Sequence, residues 1–302
     1  MNTSYTSYAP VISVRNLTKS YGQHTVLRDI SLDIYPGESV AVMGPSGSGK
    51  TTLLHALSGI IRIDSGTIQV LGGGPEIPGG RVELGALSEK QRTSLRANSF
   101  GFIFQQGLLI PELTAEENVS LAAMISGVSR EQARGASANL LARLGLGDMC
   151  EKRIGELSGG QAQRVGVARA LAADASILLM DEPFSAVDPI VRTELQEELL
   201  RLQGELHKTI VFVTHDIDEA LFLGDNIAVF APGGKLAQYG APEEILTNPA
   251  NDFVESFVSQ SVGALLPADV MRQVRYIRRE RYRRTREAAV SGEGAASTSG
   301  WG

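Results

Sequence analysis

The order of segments along the chain predicts an α/β fold: a parallel sheet with helices on its faces. Three observations carry this. Compact β-rich runs at Ser39–Met43, Ile177–Met180, Ile210–Val213 and Ile227–Phe230 are each flanked by loop or helix signals. The first of them runs straight into a glycine loop, and a helix follows at Thr51–Ser58. A long Ala- and Leu-rich stretch between residues 112 and 160 interrupts the alternation and marks a helical subdomain.

Taken in order, Val11–Val14 and Ile30–Ile34 read as short strands bounded by turns. Ser39–Met43 is wholly apolar after its first residue, as a strand covered on both faces should be. Gly66–Leu71 is a further strand. Leu87–Arg96 opens with Ser88 and Gln91 at capping-box spacing, so it is helical. Residues 112–170 are mostly helical, and the three remaining apolar runs supply further strands.

Composition narrows the class. The 302 residues include 28 Lys+Arg and 34 Asp+Glu, a net charge of −6, with 43% hydrophobic and 21% charged side chains. These values exclude a collagen-like fibre and disorder through the bulk of the chain. No run approaches the ~18–20 apolar residues of a spanning helix; the richest, Val119–Val128, is broken by Ser120, Ser126 and Gly127. Met1–Pro10 has no basic start or apolar core, so it reads as a flexible N-terminus and not a signal peptide. A single cysteine, Cys150, excludes an internal disulfide and a CxxC zinc site. The charge is uneven: residues 271–302 hold eight arginines and three acids, +5, and the other 270 residues carry −11.

Gly44-Pro45-Ser46-Gly47-Ser48-Gly49-Lys50-Thr51 matches G-x-x-x-x-G-K-[ST] without a mismatch. Its glycines permit a tight turn that aims backbone N–H groups inward, and the helix behind it, Thr51–Ser58, adds its dipole, with Thr52 counted among the nucleotide-binding residues. Lys50 is expected to reach the β- and γ-phosphates and Thr51 to offer a hydroxyl to Mg²⁺. Downstream, Ile177–Met180 ends in Asp181-Glu182-Pro183. A buried strand delivers such carboxylates to the ligand crevice, where Asp181 can hold Mg²⁺ and Glu182 can polarise an attacking water.

Leu157-Ser158-Gly159-Gly160-Gln161 opens another helix with a Ser-Gly-Gly turn, a second anion-binding helix start in one chain. With the phosphate loop about a hundred residues upstream, this resembles the nucleotide-binding subunits of ABC transporters over roughly residues 11–258. The resemblance implies a P-loop NTPase with a RecA-like core sheet, an antiparallel β subdomain and an inserted α-helical subdomain at about 106–170, all within 11–260. It implies ATP and Mg²⁺ as ligands and a head-to-tail dimer, in which Ser158, Gly159, Gly160 and Gln161 of one copy contact the γ-phosphate held by the other. It further implies that Tyr21 stacks on adenine and that Gln105 senses Mg²⁺ and water. Asp188, in Ser185-Ala186-Val187-Asp188, speaks across the dimer, and His215 contacts the γ-phosphate. Lys50, Gln105, Glu182 and His215 form the catalytic set; Thr51, Gln105 and Asp181 form the metal set.

Within the family, Phe100–Gln105 and Pro111–Val119 resemble lipoprotein-release and macrolide-export ATPases. Val211–Ala220, Gly234–Tyr239 and Pro242–Leu246 resemble ATPases of glycine betaine and choline uptake. The importer reading stands beside an exporter or membrane-remodelling ATPase and, more remotely, a non-transport ABC ATPase. It implies permease subunits, a solute-binding protein, no nucleic acid and a place on the cytoplasmic face of the membrane. Residues 261–287 read as a basic helical extension, open to a membrane surface, to nucleic acid or to plain solvation. Residues 288–302 read as a disordered tail.

Overall fold

The computed structural model describes residues 9–72, 77, 80–104, 108–185 and 187–261. Gln105 and the arginine-rich extension therefore lie outside the described residues.

Strands β1 (Ile12–Tyr21) and β2 (His24–Ile34) form a long antiparallel hairpin, followed by β3 (Ser39–Met43), helix α1 (Lys50–Leu57), β4 (Ser65–Gly72) and β5 (Gly80–Glu83). Helix α2 (Glu89–Ser99) leads to β6 (Phe100–Ile103), and three helices follow: α3 (Ala115–Ile125), α4 (Arg130–Arg143) and α5 (Gly159–Ala172). The chain continues through β7 (Ile177–Asp181), α6 (Pro189–Leu206), β8 (Thr209–Val213), α7 (Ile217–Leu223), β9 (Asn226–Ala231), β10 (Lys235–Gly240), α8 (Pro242–Thr247) and α9 (Asp252–Ser261).

Two sheets result. One is antiparallel, in the order β2-β1-β4-β5; the other runs β10-β9-β3-β8-β7-β6 and is parallel except for β10. The predicted α/β class is thus present, with an antiparallel sheet beside it. Residue alternation explains how the core sheet is covered. Val40 and Val42 of β3 bury into a cluster shared with β1, β2 and α1, while Ala41 and Met43 bury into one shared with the helices of the opposite face. Side chains of a strand alternate in direction, so a run apolar at every position must be covered twice.

Several elements differ from the sequence reading. The first two strands run far longer than Val11–Val14 and Ile30–Ile34, because polar residues such as Ser20 and Thr25 face each other in an exposed hairpin. β5 and β10 are sheet-edge strands with few buried residues, so they lack the apolar run that betrays a strand. Helix α2 starts as its spacing predicts: Ser88 Oγ accepts from Gln91 N–H while Gln91 Oε1 accepts from Ser88 N–H.

Candidate functional site

The C-terminal ends of three adjacent parallel strands define the site. β3 pairs with β8, Val42 opposite Val213, and β8 pairs with β7, Asp181 opposite Val213. The next residues of each strand, Gly44, Glu182 and Thr214, therefore emerge side by side. Thr214 N–H donates to Val42 O at 3.2 Å and Glu182 N–H to Val213 O at 3.1 Å, which ties the three exits together.

The Gly44–Lys50 loop is shaped for an anion. Gly44 has φ +145°, and a β-carbon there would strike the backbone carbonyl of Phe230. Gly49 has φ +95°, and a β-carbon there would lie 2.5 Å from Val26 O. Helix α1 begins at Lys50 without a side-chain cap, so its first N–H groups face the loop unspent. Ser48 Oγ is buried without a hydrogen-bond partner. The Lys50 ammonium folds back on the loop, donating to Gly44 O at 2.8 Å and Pro45 O at 2.9 Å. Burial pulls its pKa below the ordinary lysine value, against the pull of Glu182 and Asp181. A positive charge resting on carbonyls, an orphan hydroxyl and an uncapped helix start together fit a polyphosphate.

A cleft of about 600 Å³ opens over this loop, lined by Gly44, Ser46, Gly47, Gly49, Lys50, Thr51, Thr52, Glu182 and His215, and by His24 and Val26 of β2. That is the size range of small-molecule sites. At its acidic edge Thr51 donates its hydroxyl to the Asp181 carboxylate. Burial, the largest influence, pushes the Asp181 pKa up; the Thr51 bond opposes it and the Glu182 charge adds to it. Two hard oxygen donors at the phosphate end suit Mg²⁺, which takes few protein ligands and keeps waters and phosphate oxygens.

Glu182 has φ +46°, a left-handed conformation costly for a residue with a β-carbon. Its Oε1 lies 3.6 Å from His215 Nδ1. The histidine follows a braced residue: Thr214 Oγ1 donates to Glu219 Oε2 at 2.6 Å and accepts from Asp216 N–H at 3.0 Å. Glu219 is buried, and burial raises its pKa.

The remaining expected residues lie elsewhere. Ser158 caps α5: its Oγ accepts from Gln161 N–H at 3.2 Å, and Gln161 Oε1 accepts from Ser158 N–H at 2.9 Å. Ser158 and Gly159 are exposed, and neither they nor Gly160 and Gln161 line the cleft. A β-carbon on Gly160 would lie 2.9 Å from Val191 Cγ1, so this helix start packs closely on α6. Asp188 Oδ1 accepts from Val191 N–H at 3.1 Å, holding the start of α6. Tyr21 is 52% exposed at the hairpin tip, with Lys19 Nζ 5.2 Å from its ring centroid, and it does not line the cleft. Its hairpin partner His24 does.

Three contributors escape sequence reasoning. His24 and Val26 reach the cleft only through the register of the β1–β2 hairpin. Gln163 of α5 donates to Pro183 O, tying the second glycine-turn helix to the acidic strand end. The Ser-Gly-Gly turn marks the start of α5 in the sequence, but nothing local marks this bond.

Comparison with known proteins follows this geometry. The model of the ABC transporter family matches residues 27–185. The glycine betaine/proline betaine transport ATP-binding protein ProV of Escherichia coli is 39% identical over 246 residues, 82% of this chain and 59% of that protein. The match thus spans about three fifths of that relative's length. The trimethylamine N-oxide transport ATP-binding protein TmoW of Ruegeria pomeroyi is 39% identical over 275 residues, 83% of this chain and 78% of that protein. Among solved structures, the dimeric post-hydrolysis state of the ATP-binding cassette MJ0796 bound to ADP and phosphate aligns with a TM-score of 0.68 at 33% identity. That alignment covers 76% of this chain and 98% of that one.

Proposed function

The chain belongs to the ABC transporter family, and from that premise we propose that it is the ATP-hydrolysing subunit of an importer for a small osmoprotectant such as a quaternary amine. The observation that supports this most is the convergence of the phosphate loop, Glu182 and His215 on one cleft, in a chain 39% identical to glycine betaine and trimethylamine N-oxide transport subunits.

The mechanism is built from this chain's own groups. The loop N–H groups and the start of α1 receive the phosphates, and the Lys50 ammonium leaves the carbonyls of Gly44 and Pro45 for the β- and γ-phosphate oxygens. Thr51 and Asp181, with Gln105, would hold Mg²⁺, which supplies neutralising charge on the phosphates. Glu182 accepts a proton from the attacking water, and His215 steadies the γ-phosphate beside it. Ser158, Gly159 and Gly160, which lie outside their own chain's cleft, close over the nucleotide of a second copy. Asp188, next to Val191, carries the contact between the copies. Tyr21 turns its exposed ring toward adenine at the hairpin tip.

Apolar side chains exposed near α3 provide the docking face for a permease: Leu108 at 57%, Ile110 at 38% and Ile125 at 65% exposure. Arg169 of α5 donates to Leu108 O at 2.6 Å, so this face is joined to the Ser158 helix. Among the described residues no helix is long and apolar enough to cross a membrane, and the chain works as a peripheral subunit on the cytoplasmic face. A solute-binding protein delivers the substrate to the same assembly.

The test is reconstitution of this chain with a permease and solute-binding protein that co-purify with it, in vesicles loaded with ATP. Labelled glycine betaine should accumulate with the wild-type chain and not with Glu182→Gln. ATP hydrolysis without uptake of any quaternary amine would overturn the importer reading.

A further inference from the structure

A second cavity, of about 170 Å³, opens where the end of α1 meets β4 and α2, lined in part by Ala56, Ile61, Ile63, Ile68 and Leu84. Arg62 and Arg92 also line it. Arg92 belongs to α2 and is 4% exposed. Its Nε is buried with no hydrogen-bond partner. The ion pair it makes is long: its NH1 stands 4.0 Å from Glu89 Oε2, and that carboxylate is 64% exposed. By contrast Arg96, one turn on, is satisfied, donating to Gly59 O at 3.0 Å and to Thr93 Oγ1 at 2.9 Å.

Burial of a cation whose counter-charge stands 4.0 Å away and faces solvent is costly. A guanidinium in such a place calls for an anion that brings its own acceptors. Three features narrow the anion's chemistry. Arg62 adds a second cationic side chain to the lining. The rest of the wall is largely aliphatic, which favours a ligand with an apolar body over a fully hydrated inorganic oxyanion. The volume lies below the ~300 Å³ at which sites for larger organic ligands begin, so it suits only a few heavy atoms.

We propose that this cavity is a binding site for a small organic carboxylate. The carboxylate accepts from the Arg92 guanidinium, and the hydrocarbon end lies against Ile61, Ile63, Ile68 and Leu84. The site is separate from the phosphate cleft. Along α1, Thr52 of the cleft and Ala56 of the cavity are four residues apart, about 6 Å at 1.5 Å per residue.

The experiment uses the full chain with ¹⁵N-labelled arginine, titrated with sodium isovalerate while the Nε–H resonance of Arg92 is followed. Arg92→Met assigns that resonance by its loss, and thermal melts supply a second readout. A saturable shift of the resonance, with a melting temperature that rises with isovalerate, is expected for the wild-type chain. Arg92→Met should weaken the stabilising effect tenfold or more, in line with the loss of a charged hydrogen bond. Arg92→Lys, which keeps the charge without the planar fork, should fall between. ATP hydrolysis by the variants reports that they are folded, and Arg92→Lys, which also lacks the resonance, supplies the assignment if Arg92→Met is not. Absence of a saturable shift would overturn the proposal, as would an equal response of Arg92→Met. So would equal shifts from chloride or phosphate at matched ionic strength, since the cavity would then be an unselective anion well.

Discussion

Glu182 Oε1 stands 3.6 Å from Nδ1 of His215, across the joint between two parallel strands. Neither residue holds this position through its own flexibility. Glu182 is turned out by its positive φ, and the Thr214–Glu219 hydrogen bond braces the histidine loop. A carboxylate so placed can take a proton from water bound between it and a γ-phosphate. Glu182→Gln keeps the shape and removes the base. Its steady-state ATP hydrolysis should fall about 10²–10⁴-fold, the usual worth of a general base. ATP binding should persist, and gel filtration with ATP should show a dimer that no longer turns over. Hydrolysis at the wild-type rate would remove Glu182 from the role.

Asp181 gives a pH prediction. Its folded-state pKa is raised, chiefly by burial. The folded chain therefore binds the proton more readily than the unfolded chain does, and stability falls as pH rises from the ordinary carboxylate value through the raised one. Asp181→Asn lacks this penalty. In nucleotide-free buffer the variant should melt above the wild type at neutral pH, and the gap should close as pH falls toward 4. A constant gap across that window would contradict the assignment. In the same variant Mg-ATP should bind weakly.

The proposed split of phosphate loop and Ser158 turn between copies predicts rescue by mixing. Lys50→Ala loses one half of a site and Ser158→Arg the other, so each chain alone should be nearly inactive. Mixed, they form heterodimers with one intact composite site, and about a quarter of wild-type hydrolysis should return under random pairing of independent sites. A mixture as inactive as its parts would exclude a site shared between copies.

Gly49 tests the cradle. Its φ of +95° and the 2.5 Å approach of a β-carbon to Val26 O leave no room for alanine. Gly49→Ala should lose at least about 1–2 kcal/mol of stability from backbone strain alone, measured by urea unfolding. Nucleotide binding should fall further than stability does. Gly47→Ala, where the φ is +77° but nothing lies within 4 Å, should show the strain without the collision.

Much of the site was legible because its chemistry is local in sequence. The phosphate loop, Asp181-Glu182 and His215 each follow an apolar strand, and adjacent parallel strands bring their ends together. His24 and Val26 were not legible, since hairpin register decides which residues of β2 face the loop. Nor was the Gln163–Pro183 hydrogen bond, which joins elements twenty residues apart. Tyr21 shows the converse: the sequence gives its place at a turn, but a ring half open to solvent beside Lys19 is a surface feature until a ligand covers it. Edge strands β5 and β10 escaped for want of burial.

The exposed start of α5, outside the cleft of its own chain, has a kinetic consequence. Under the proposed function, a catalyst divided between two copies obeys mass action. In dilute solution the hydrolysis rate per chain should rise with chain concentration. Once two copies are tethered to one permease, effective concentration replaces bulk concentration and the rate becomes first order. On that proposal ATP consumption is suppressed wherever the chain drifts free, and the turn at Ser158 keeps the fuel for the membrane assembly.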